Sequence, residues 1–349
     1  MAPTPEAPRK LVSLRRLAIL LCGLFTIVGT FLGVGGCMVM SMPGTSYQGP
    51  LAELTEDETR IAAGLQAHVT ALAATIGPRS FKQAPQLAAA ADWIEQQFGS
   101  LGLSPHREPY QATYHGNLMD TCNVVAESAG ASQPADILIV GAHYDTVYIT
   151  PGANDNASGI AVMLEIARLI GNSPHNRTVR FVAFSTEEPP WFKSDEMGSW
   201  VHAHGCQQRG EQIAGMISLE TMGCYLQTPG TQKYPNKLLG NFYPDTGDYI
   251  AFVGNLSSGD LVRRAIGSFR SHTQFPSQGI AAPDSLPGVD FSDHWSFWQH
   301  SYPAIMLTDT AMLRYAHYHL PTDTADRLDY PRLARVTAGL ARVVADLLK

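Results

Sequence analysis

Histidine and carboxylate side chains in five short stretches of this sequence have the chemistry of a hydrolytic metal site. The stretches are G-A-H-Y-D, G-A-N-D-N-A-S-G, F-S-T-E-E, S-L-E-T and Y-H-L-P-T-D-T, and they contain His143 with Asp145, Asp155, Glu187 with Glu188, Glu220 and His319. Imidazole nitrogens and carboxylate oxygens, without a cysteine, suit zinc or another hydrolytic divalent cation. A glutamate left over from ligation can act as a base. The set therefore indicates a hydrolase that activates water.

The elements that must position these residues follow from the apolar pattern. Apolar runs typical of buried strands lie directly before His143, before Glu187 and before Glu220. The predicted strands are 123–127, 137–142, 179–185, 214–219, 249–254 and 303–307, and the predicted helices are 55–76, 85–101, 158–169, 195–206, 258–271 and 331–348. This alternation predicts an α/β domain, a three-layer α/β/α sandwich around a mostly parallel mixed sheet. Such sheets bind ligands beyond the carboxyl ends of their strands, so one shared site is expected there.

Local spacing suggests a role for several of these residues. In an extended segment His143 and Asp145 share a face, so the carboxylate can accept from the imidazole while the other ring nitrogen binds a metal. Asp155 lies in a polar, glycine-flanked loop that enters a helix, where one carboxylate can reach two metals. Glu187 and Glu188 are adjacent and their side chains diverge, so one can ligate while the other faces substrate. Taken singly, the stretches also fit a hydrogen-bonded strand end, a helix-capping turn and a solvated loop.

The last histidine must be chosen from three. His294 lies in F-S-D-H-W, which is typical of a packed turn. His317 is one residue off the spacing of the form Y-H-x-x-x-D. Tyr318 and His319, followed by Asp323, have the form Y-H-x-x-x-D and favour His319. The sequence has no H-E-x-x-H pair, which argues against the common single-zinc protease helix.

The first 54 residues differ in pattern from the rest. Residues 1–16 carry Arg9, Lys10, Arg15 and Arg16 and are predicted to stay in the cytoplasm, because these basic residues precede the apolar run and the acidic residues Glu53, Glu56 and Asp57 follow it. Residues 17–36 carry no charge and can just span a hydrocarbon core of about 30 Å. Residues 17–42 are therefore predicted to be a transmembrane signal-anchor or a signal peptide. In the second case V-G-G-C, ending at Cys37, is a loose lipoprotein cleavage box.

The remainder would face outward, periplasmic or extracellular. Residues 43–54 are predicted to be a linker, and 55–349 one large α/β domain. The formal net charge is −7 and no basic run follows the N-terminus, which argues against nucleic acid as a partner. In an oxidising compartment Cys206 and Cys224 could pair, which would leave Cys122 free.

Taken together, the stretches resemble the co-catalytic double-zinc aminopeptidase family of metallopeptidases, which also contains glutaminyl cyclases and glutamate carboxypeptidases. The pattern H-x-D, G-A-x-D-N-x-S-G, E-E, an acid after the next strand, S-D-H and Y-H-x-x-x-D-T is present in this order over roughly residues 85–345. Carried over by position, the resemblance implies that His143 and Glu220 bind one zinc, that Glu188 and His319 bind the other, and that Asp155 bridges the two. The family fold is an α/β/α sandwich around a mixed sheet.

The resemblance also implies an activity and two further roles. The chain would be an exopeptidase that acts on peptides with a free N-terminus, and the N-terminal segment would anchor it to the membrane. Glu187 would be the general base and acid, and Asp145 would orient His143. In the family the peptide after the bridging aspartate is often cis, so Asp155–Asn156 is expected to be cis.

This sequence departs from the family pattern in two places. Many members have E-E-x-G-x-x-G-S, whereas Glu188 is followed here by P-P-W-F-K-S-D-E-M-G-S. This segment is expected to reshape the rim of the cleft, with Trp191 and Phe192 as substrate contacts. Many members also place aspartate where Glu220 stands. The longer side chain is expected to alter metal spacing or occupancy.

Three alternatives remain open. A glutaminyl cyclase typically uses one zinc, held by an aspartate, a glutamate and a histidine, whereas the intact H-x-D and bridging loop favour two metals. A glutamate carboxypeptidase would need basic residues around its pocket, for which Arg314 is the candidate. A catalytically inactive, membrane-tethered binding module would be expected to lose ligands, yet every expected ligand position is filled.

Overall fold

An eight-stranded mixed sheet forms the centre of the fold. The structure is a computed structural model, and it describes residues 41–349. The strands are β1 (His106–Tyr114), β2 (Asn117–Ser128), β3 (Gln133–His143), β4 (Arg177–Phe184), β5 (Gln212–Glu220), β6 (Ile250–Asn255), β7 (Ser277–Ala282) and β8 (Ala304–Thr308). Their order across the sheet is β1-β2-β4-β3-β5-β8-β6-β7. Four neighbouring pairs are parallel and three are antiparallel, so the predicted α/β fold with a mixed sheet is confirmed.

The four central strands share one direction. β4, β3, β5 and β8 are parallel neighbours, so their carboxyl ends meet at one edge of the sheet. β2 and β6 flank them in the antiparallel sense. Because the central strands are buried on both faces, they are continuous apolar runs, which is why their positions could be predicted.

Helices cover both faces of the sheet. They are α1 (Glu56–Val69), α2 (Ala84–Ser100), α3 (Ser158–Ile170), α4 (Gly198–Gln208), α5 (Gly259–His272), α6 (His294–Gln299) and α7 (Tyr330–Leu347). A wider helical turn continues α1 to Ile76. One face of the sheet shares a single apolar core with helices α1, α2, α3, α5 and α7. On the other face α4 packs on α6, whose Phe297 contacts Phe184 of β4.

Two strands and one helix were not predicted. The edge strand β1 is polar and contains Pro109, and most of its side chains are at least partly exposed. Such a strand lacks the apolar signal of a buried one. β7 lies in the 272–291 segment, which has the glycine and proline content of a loop, and α6 is only six residues long.

The N-terminal predictions fall mostly outside the described residues. The predicted cytoplasmic segment, 1–16, lies wholly outside them, and so do residues 17–40 of the predicted anchor or signal peptide, 17–42. Between residues 41 and 349, no helix has the combination of length and apolarity needed to cross a membrane. Residues 43–54 contain no helix or strand and lie against α5 and β7, where Ser46 Oγ accepts from Ser277 N at 2.9 Å. Thr55 then caps α1.

The three cysteines of the described domain are separate. Cys122, Cys206 and Cys224 are buried free thiols. Cys206 lies on α4 and accepts from Arg180 at 3.3 Å. The pairing of Cys206 with Cys224 that an oxidising compartment would permit is therefore not formed.

Candidate metal centre

The ends of the parallel strands deliver the predicted site residues to one place. His143 is the last residue of β3 and Glu220 the last of β5, while Glu187 and Glu188 follow β4. Asp155 lies in the loop before α3, and His319 lies in the loop after β8. All of these except His319 are buried, and the side chain of His319 is 31% exposed.

Asp155 lies between two groups of donor atoms. Its Oδ1 is 3.3 Å from His143 Nε2, which is also 3.3 Å from Glu220 Oε2. Its Oδ2 is 3.0 Å from His319 Nε2, which is 3.2 Å from Glu188 Oε2. In each group the three candidate ligand atoms lie within 4.8 Å of one another. The two oxygens of one carboxylate therefore face two different histidines.

These donor groups fit divalent cations. Four of their atoms are buried and have no hydrogen-bond partner among the described residues: His143 Nε2, Asp155 Oδ2, Glu188 Oε1 and His319 Nε2. Buried polar atoms are normally satisfied, so a cluster of orphaned ones requires an explanation. A cation bound in each of the two groups would satisfy these atoms, and the nitrogen and oxygen donors match zinc.

The histidines and carboxylates shift one another's pKa values. Burial opposes ionisation of Asp155, but contacts with His143 and His319 hold its pKa well below the usual range. Burial also disfavours a charged His319, yet Asp155 and Glu188 raise its pKa to about 10. Burial and the proximity of Asp155 raise the pKa of Glu188 to about 7. A cation bound here would therefore displace protons from the site.

Glu187 belongs to neither donor group. Its Oε2 is 3.8 Å from His143 Nε2. Burial raises its pKa well above the usual range, and Glu220, Glu188 and Asp293 add to the effect through their charges. Positive charge bound to the neighbouring donors would lower this pKa again. The carboxylate therefore lies beside the donor groups without supplying a candidate ligand atom to either of them.

Asp145 fixes the main chain of the two glutamates. Its Oδ1 accepts from Glu187 N at 3.2 Å and its Oδ2 accepts from Glu188 N at 3.1 Å. Its contact with the imidazole is longer, with 3.5 Å between Oδ1 and His143 Nδ1, and this nitrogen is nearer the main-chain oxygen of Asp145, at 3.2 Å. Asp145 therefore positions the segment after β4, a role that its spacing from His143 does not reveal.

Two asparagines hold the loop that carries Asp155. The Nδ2 of Asn154 donates to Asp309 at 2.8 Å, and its Oδ1 accepts from Gly223 N at 2.7 Å. Asn156 Nδ2 donates to Leu219 O at 2.8 Å. The Asp155–Asn156 peptide is cis, as the resemblance implied. Asp309, which follows β8 just as the donors follow their strands, supports this loop and is not in either donor group.

Unusual backbone conformations lie beside the donors. Thr186 precedes Glu187 with φ 55°, Thr221 follows Glu220 with φ 44°, and His319 itself has φ 58°. Positive φ is rare for a β-branched residue and persists where the surroundings fix it. Tyr110 supports Thr186 through a 2.7 Å contact between their hydroxyls. Neither threonine carries a sequence signal for this role.

The S-D-H motif reaches the site through its serine. Ser292 Oγ donates to Glu220 Oε2 at 2.8 Å. Asp293 is buried beside it, and burial raises the pKa of its carboxyl to about 7. His294 Nε2 contacts Val289 O at 2.7 Å, and His317 Nδ1 contacts Thr322 Oγ1 at 2.9 Å, so neither histidine enters a donor group. His319, by contrast, places a ring nitrogen in the donor group with Asp155 and Glu188.

Trp191 and Phe192, which follow Glu188, were predicted to contact substrate, but in the structure both pack against other parts of the protein. Trp191 is buried, and its Nε1 donates to Thr113 O at 3.0 Å, so it supports the rim rather than contacting substrate. Phe192 packs edge-on against Phe291, with ring centroids 6.1 Å apart. Lys193 forms an ion pair with Asp290 and so joins this segment to the loop before α6.

An apolar cavity of about 250 Å³ opens beside Glu220. Its walls come from β6, β7, β8 and the two long loops 226–248 and 284–291, and include Ala251, Met306 and Phe291. Two tyrosines on its wall use their hydroxyls on main-chain oxygens, Tyr234 with Pro244 and Tyr243 with Gly279. The cavity therefore suits an uncharged, apolar side chain.

Histidine and carboxylate donors at the carboxyl edge of a mixed α/β sheet define the class of metal-dependent hydrolases. Residues 123–344 match the model of peptidase family M28. The chain is 40% identical over 284 residues to the uncharacterized protein YfbL of Escherichia coli (strain K12), covering 79% of this chain and 85% of the relative. It is 26% identical over 274 residues to leucine aminopeptidase 1 of Arthroderma otae, covering 74% of this chain and 67% of that relative.

Solved structures share the fold. BSAP, a zinc aminopeptidase from Bacillus subtilis, matches with a TM-score of 0.65 and 15% identity, covering 82% of this chain and 95% of that one. Glutaminyl cyclase from Porphyromonas gingivalis matches with a TM-score of 0.61 and 19% identity, covering 82% and 98%. The chain belongs to peptidase family M28 and is a metallopeptidase, which confirms the family resemblance.

Proposed function

We propose that this protein is a two-zinc aminopeptidase that removes the N-terminal residue of peptides. One observation carries the proposal: Asp155 Oδ1 faces His143 Nε2 at 3.3 Å, and Asp155 Oδ2 faces His319 Nε2 at 3.0 Å. A carboxylate that serves two nitrogen donors with separate oxygens suits a bridging ligand. His143 and Glu220 would complete one site, and Glu188 and His319 the other.

The chemistry follows from the residues around the donors. Two divalent cations bound there would lower the pKa of a shared water and polarise the scissile carbonyl. Glu187, which is outside both donor groups, accepts the proton of the attacking water and returns it to the leaving amine. Asp145 keeps Glu187 and Glu188 in place through their main-chain amides. Of the two adjacent glutamates, Glu187 thus acts as the base and Glu188 as a metal ligand.

The surroundings of the site favour a peptide with a free, apolar N-terminal residue. A cation held by one of the two donor groups could also bind the free α-amino group of the substrate, which is a nitrogen donor when it is uncharged. The apolar cavity beside Glu220 accepts the first side chain, and its volume of about 250 Å³ suits leucine or an aromatic residue rather than a charged one.

Glutaminyl cyclase is the second candidate, because one of the structures with this fold has that activity. A single-zinc cyclase site of one aspartate, one glutamate and one histidine would not include His143 as a ligand. His143 is nevertheless buried, and its Nε2 has no hydrogen-bond partner among the described residues. The carboxypeptidase alternative is weaker. Arg314, its candidate for carboxylate binding, donates to the main-chain oxygens of Cys224, Gly247 and Tyr249.

The deciding experiment combines metal counting with product analysis. Purified protein is stripped with a chelator, reloaded with zinc and assayed on a panel of aminoacyl-arylamides and on glutaminyl peptides. We expect two zinc ions per chain, release of free amino acids, and loss of about one zinc in His143→Ala and in His319→Ala. One zinc per chain with pyroglutamate as the product would establish the cyclase instead. Metal content unaffected by both histidine changes would disprove the site.

We further propose that the catalytic domain, 55–349, acts outside the cytoplasm, tethered by the segment 17–42. The support is the basic stretch 1–16 followed by twenty uncharged residues. Fractionation of cells that express the full chain, followed by protease treatment of spheroplasts, tests this, with Cys37→Ser as a second variant. Protease-accessible catalytic domain is expected, and lipid labelling that Cys37→Ser abolishes would identify the lipoprotein form. A fully protected domain would contradict the proposal.

A further inference from the structure

A buried arginine lies behind the loop that carries Asp155. Arg79 is fully buried, in the G-P-R-S segment between α1 and α2 that the sequence indicates only as a helix break. Its guanidinium donates to five main-chain oxygens. Nε donates to Tyr144 at 2.8 Å, and Nη2 donates to Gly152 at 3.0 Å. Nη1 donates to Leu72 at 3.0 Å, to Gly77 at 3.0 Å and to Pro151 at 2.7 Å. Burial lowers its pKa to about 10, which leaves it charged at neutral pH.

Three of these acceptors belong to segments that carry metal donors. Tyr144 follows His143 directly, and Pro151 and Gly152 lead into the loop of Asp155. The approach is close: a Cβ added to Gly152, which has φ 60°, would lie 2.4 Å from Asp155 O and 3.0 Å from Arg79 Nη2. One side chain therefore links the end of β3 to the bridging loop.

A buried anion holds the amides of the same loop. Asp323 Oδ1 accepts from Asn154 N at 2.8 Å, and Asp323 Oδ2 accepts from Asp155 N at 3.1 Å. The hydroxyl of Tyr315 donates to Asp323 Oδ1 at 2.7 Å and orients the carboxylate. Because Asp323 is four residues after His319, it also connects the loop to the second histidine.

We propose that Arg79 and Asp323 are paired positioning residues of the metal centre. The cation holds the carbonyls of Pro151 and Gly152, and the anion holds the amides of Asn154 and Asp155. Each charge is matched to the sign of the peptide dipole end that it contacts. This arrangement fixes Asp155 so that its two oxygens face the two donor groups. The inference rests on the proposed metal centre but is independent of the substrate.

The proposal predicts which substitutions disturb metal binding. Lysine carries the charge of arginine but has three donors on a point-like group, so it cannot reproduce the fork that reaches five carbonyls. Arg79→Lys should therefore weaken zinc binding. Asp323→Asn should do the same, because the amide presents an NH2 group to one of the two main-chain amides. Changes to groups that orient metal ligands typically cost about 10–100-fold in metal affinity, and we expect this range for both variants.

The test is a zinc titration of the chelator-stripped full chain against a competing indicator, with thermal unfolding of the stripped protein measured in parallel. Arg180→Lys is the matched control, because Arg180 is a buried arginine of β4 that pairs with Glu127 of β2 and with Glu211, which lies directly before β5, at the opposite end of that strand from Glu220. The control should lower the unfolding midpoint and leave zinc affinity unchanged. Saturating zinc should restore the activity of Arg79→Lys to within a few-fold of wild type, and no such dependence on zinc is expected for the control.

Each outcome decides between a positioning role and a purely structural one. Unchanged zinc affinity in Arg79→Lys, with a lowered unfolding midpoint, would show that Arg79 only stabilises the fold. If Arg79→Lys does not fold, Asp323→Asn decides the question by the same titration. A wild-type chain that binds no zinc would overturn this inference together with the metal centre. Wild-type zinc binding with unaffected variants would overturn this inference alone.

Discussion

Glu220 is tied to Ser292 by a hydrogen bond of 2.8 Å between Ser292 Oγ and Glu220 Oε2. The bond joins the end of β5 to the residue just before the aspartate of the S-D-H motif. The same oxygen, Oε2, lies 3.3 Å from His143 Nε2. Many family members have aspartate where Glu220 stands. The longer side chain is held here by Ser292, and its carboxylate lies beside His143 in the donor group that also contains Asp155.

Removing this hydrogen bond should loosen one metal site. Hydrogen bonds to charged groups contribute about 1.5–3 kcal/mol, so Ser292→Ala is expected to lower the affinity of the zinc site that includes His143 and Glu220 about 10-fold or more. Glu220→Asp should have a similar effect, because the shorter side chain cannot reach both Ser292 and the donor group. Zinc per chain after gel filtration at limiting metal measures the loss. Ser268→Ala is the matched control, because Ser268 also donates to a carboxylate, that of Asp346 on α7, and should retain full zinc content.

Glu187→Gln should separate metal binding from turnover. Glutamine keeps the shape but cannot carry the proton, and general acid–base catalysis typically contributes about 10²–10⁴-fold. We therefore expect kcat to fall by about this factor while zinc content stays at the wild-type value. Asp195→Asn, an exposed position in the same segment, should leave kcat unchanged. Near-normal turnover in Glu187→Gln would move the role of base to another residue.

Zinc affinity should rise with pH. Asp155 and Glu188 raise the pKa of His319 to about 10, so this ring is protonated at pH 7 and must lose its proton before it can ligate. Each proton displaced raises the affinity up to about tenfold per pH unit, and the rise should continue until the pKa of about 10 is approached. Calorimetry in buffers of different ionisation enthalpy counts the protons released. His319→Ala should release fewer, and an affinity that is flat from pH 6 to 9 would contradict the prediction.

Filling the apolar cavity should change substrate preference. Ala251 lines the cavity from β6 and is buried, so Ala251→Phe places a ring in the space assigned to the first side chain. Hydrophobic pockets discriminate by about 10–200-fold for small changes in fit, and kcat/KM for leucyl- and phenylalanyl-arylamides should fall by an amount in this range. The alanyl substrate serves as the internal control and should be affected little. Equal losses on all substrates would assign the cavity no part in specificity.

Much of the fold and of the site could be predicted because the relevant signals are local. β3, β4 and β5 are buried on both faces, so each is an apolar run that ends at a polar residue. Parallel strands bring such ends to one edge, which is why the apolar pattern alone places His143 and Glu220 near each other. The edge strands β1 and β7 lack that signal because one side of each has no neighbouring strand, and their residues are more polar.

The sequence by itself determined the family, the candidate donor residues and the positions of the central strands, because these depend on residue types and spacings. Only the tertiary structure decided which partner each group meets. Asp145 reaches the amides of Glu187 and Glu188 rather than serving the imidazole alone, and Trp191 points into the rim. Arg79 lies 76 positions before Asp155 in the chain, yet it holds the loop of Asp155. Contacts of this kind join residues that are remote in sequence, and they arise only when the packing of the whole domain places a buried donor against a buried acceptor.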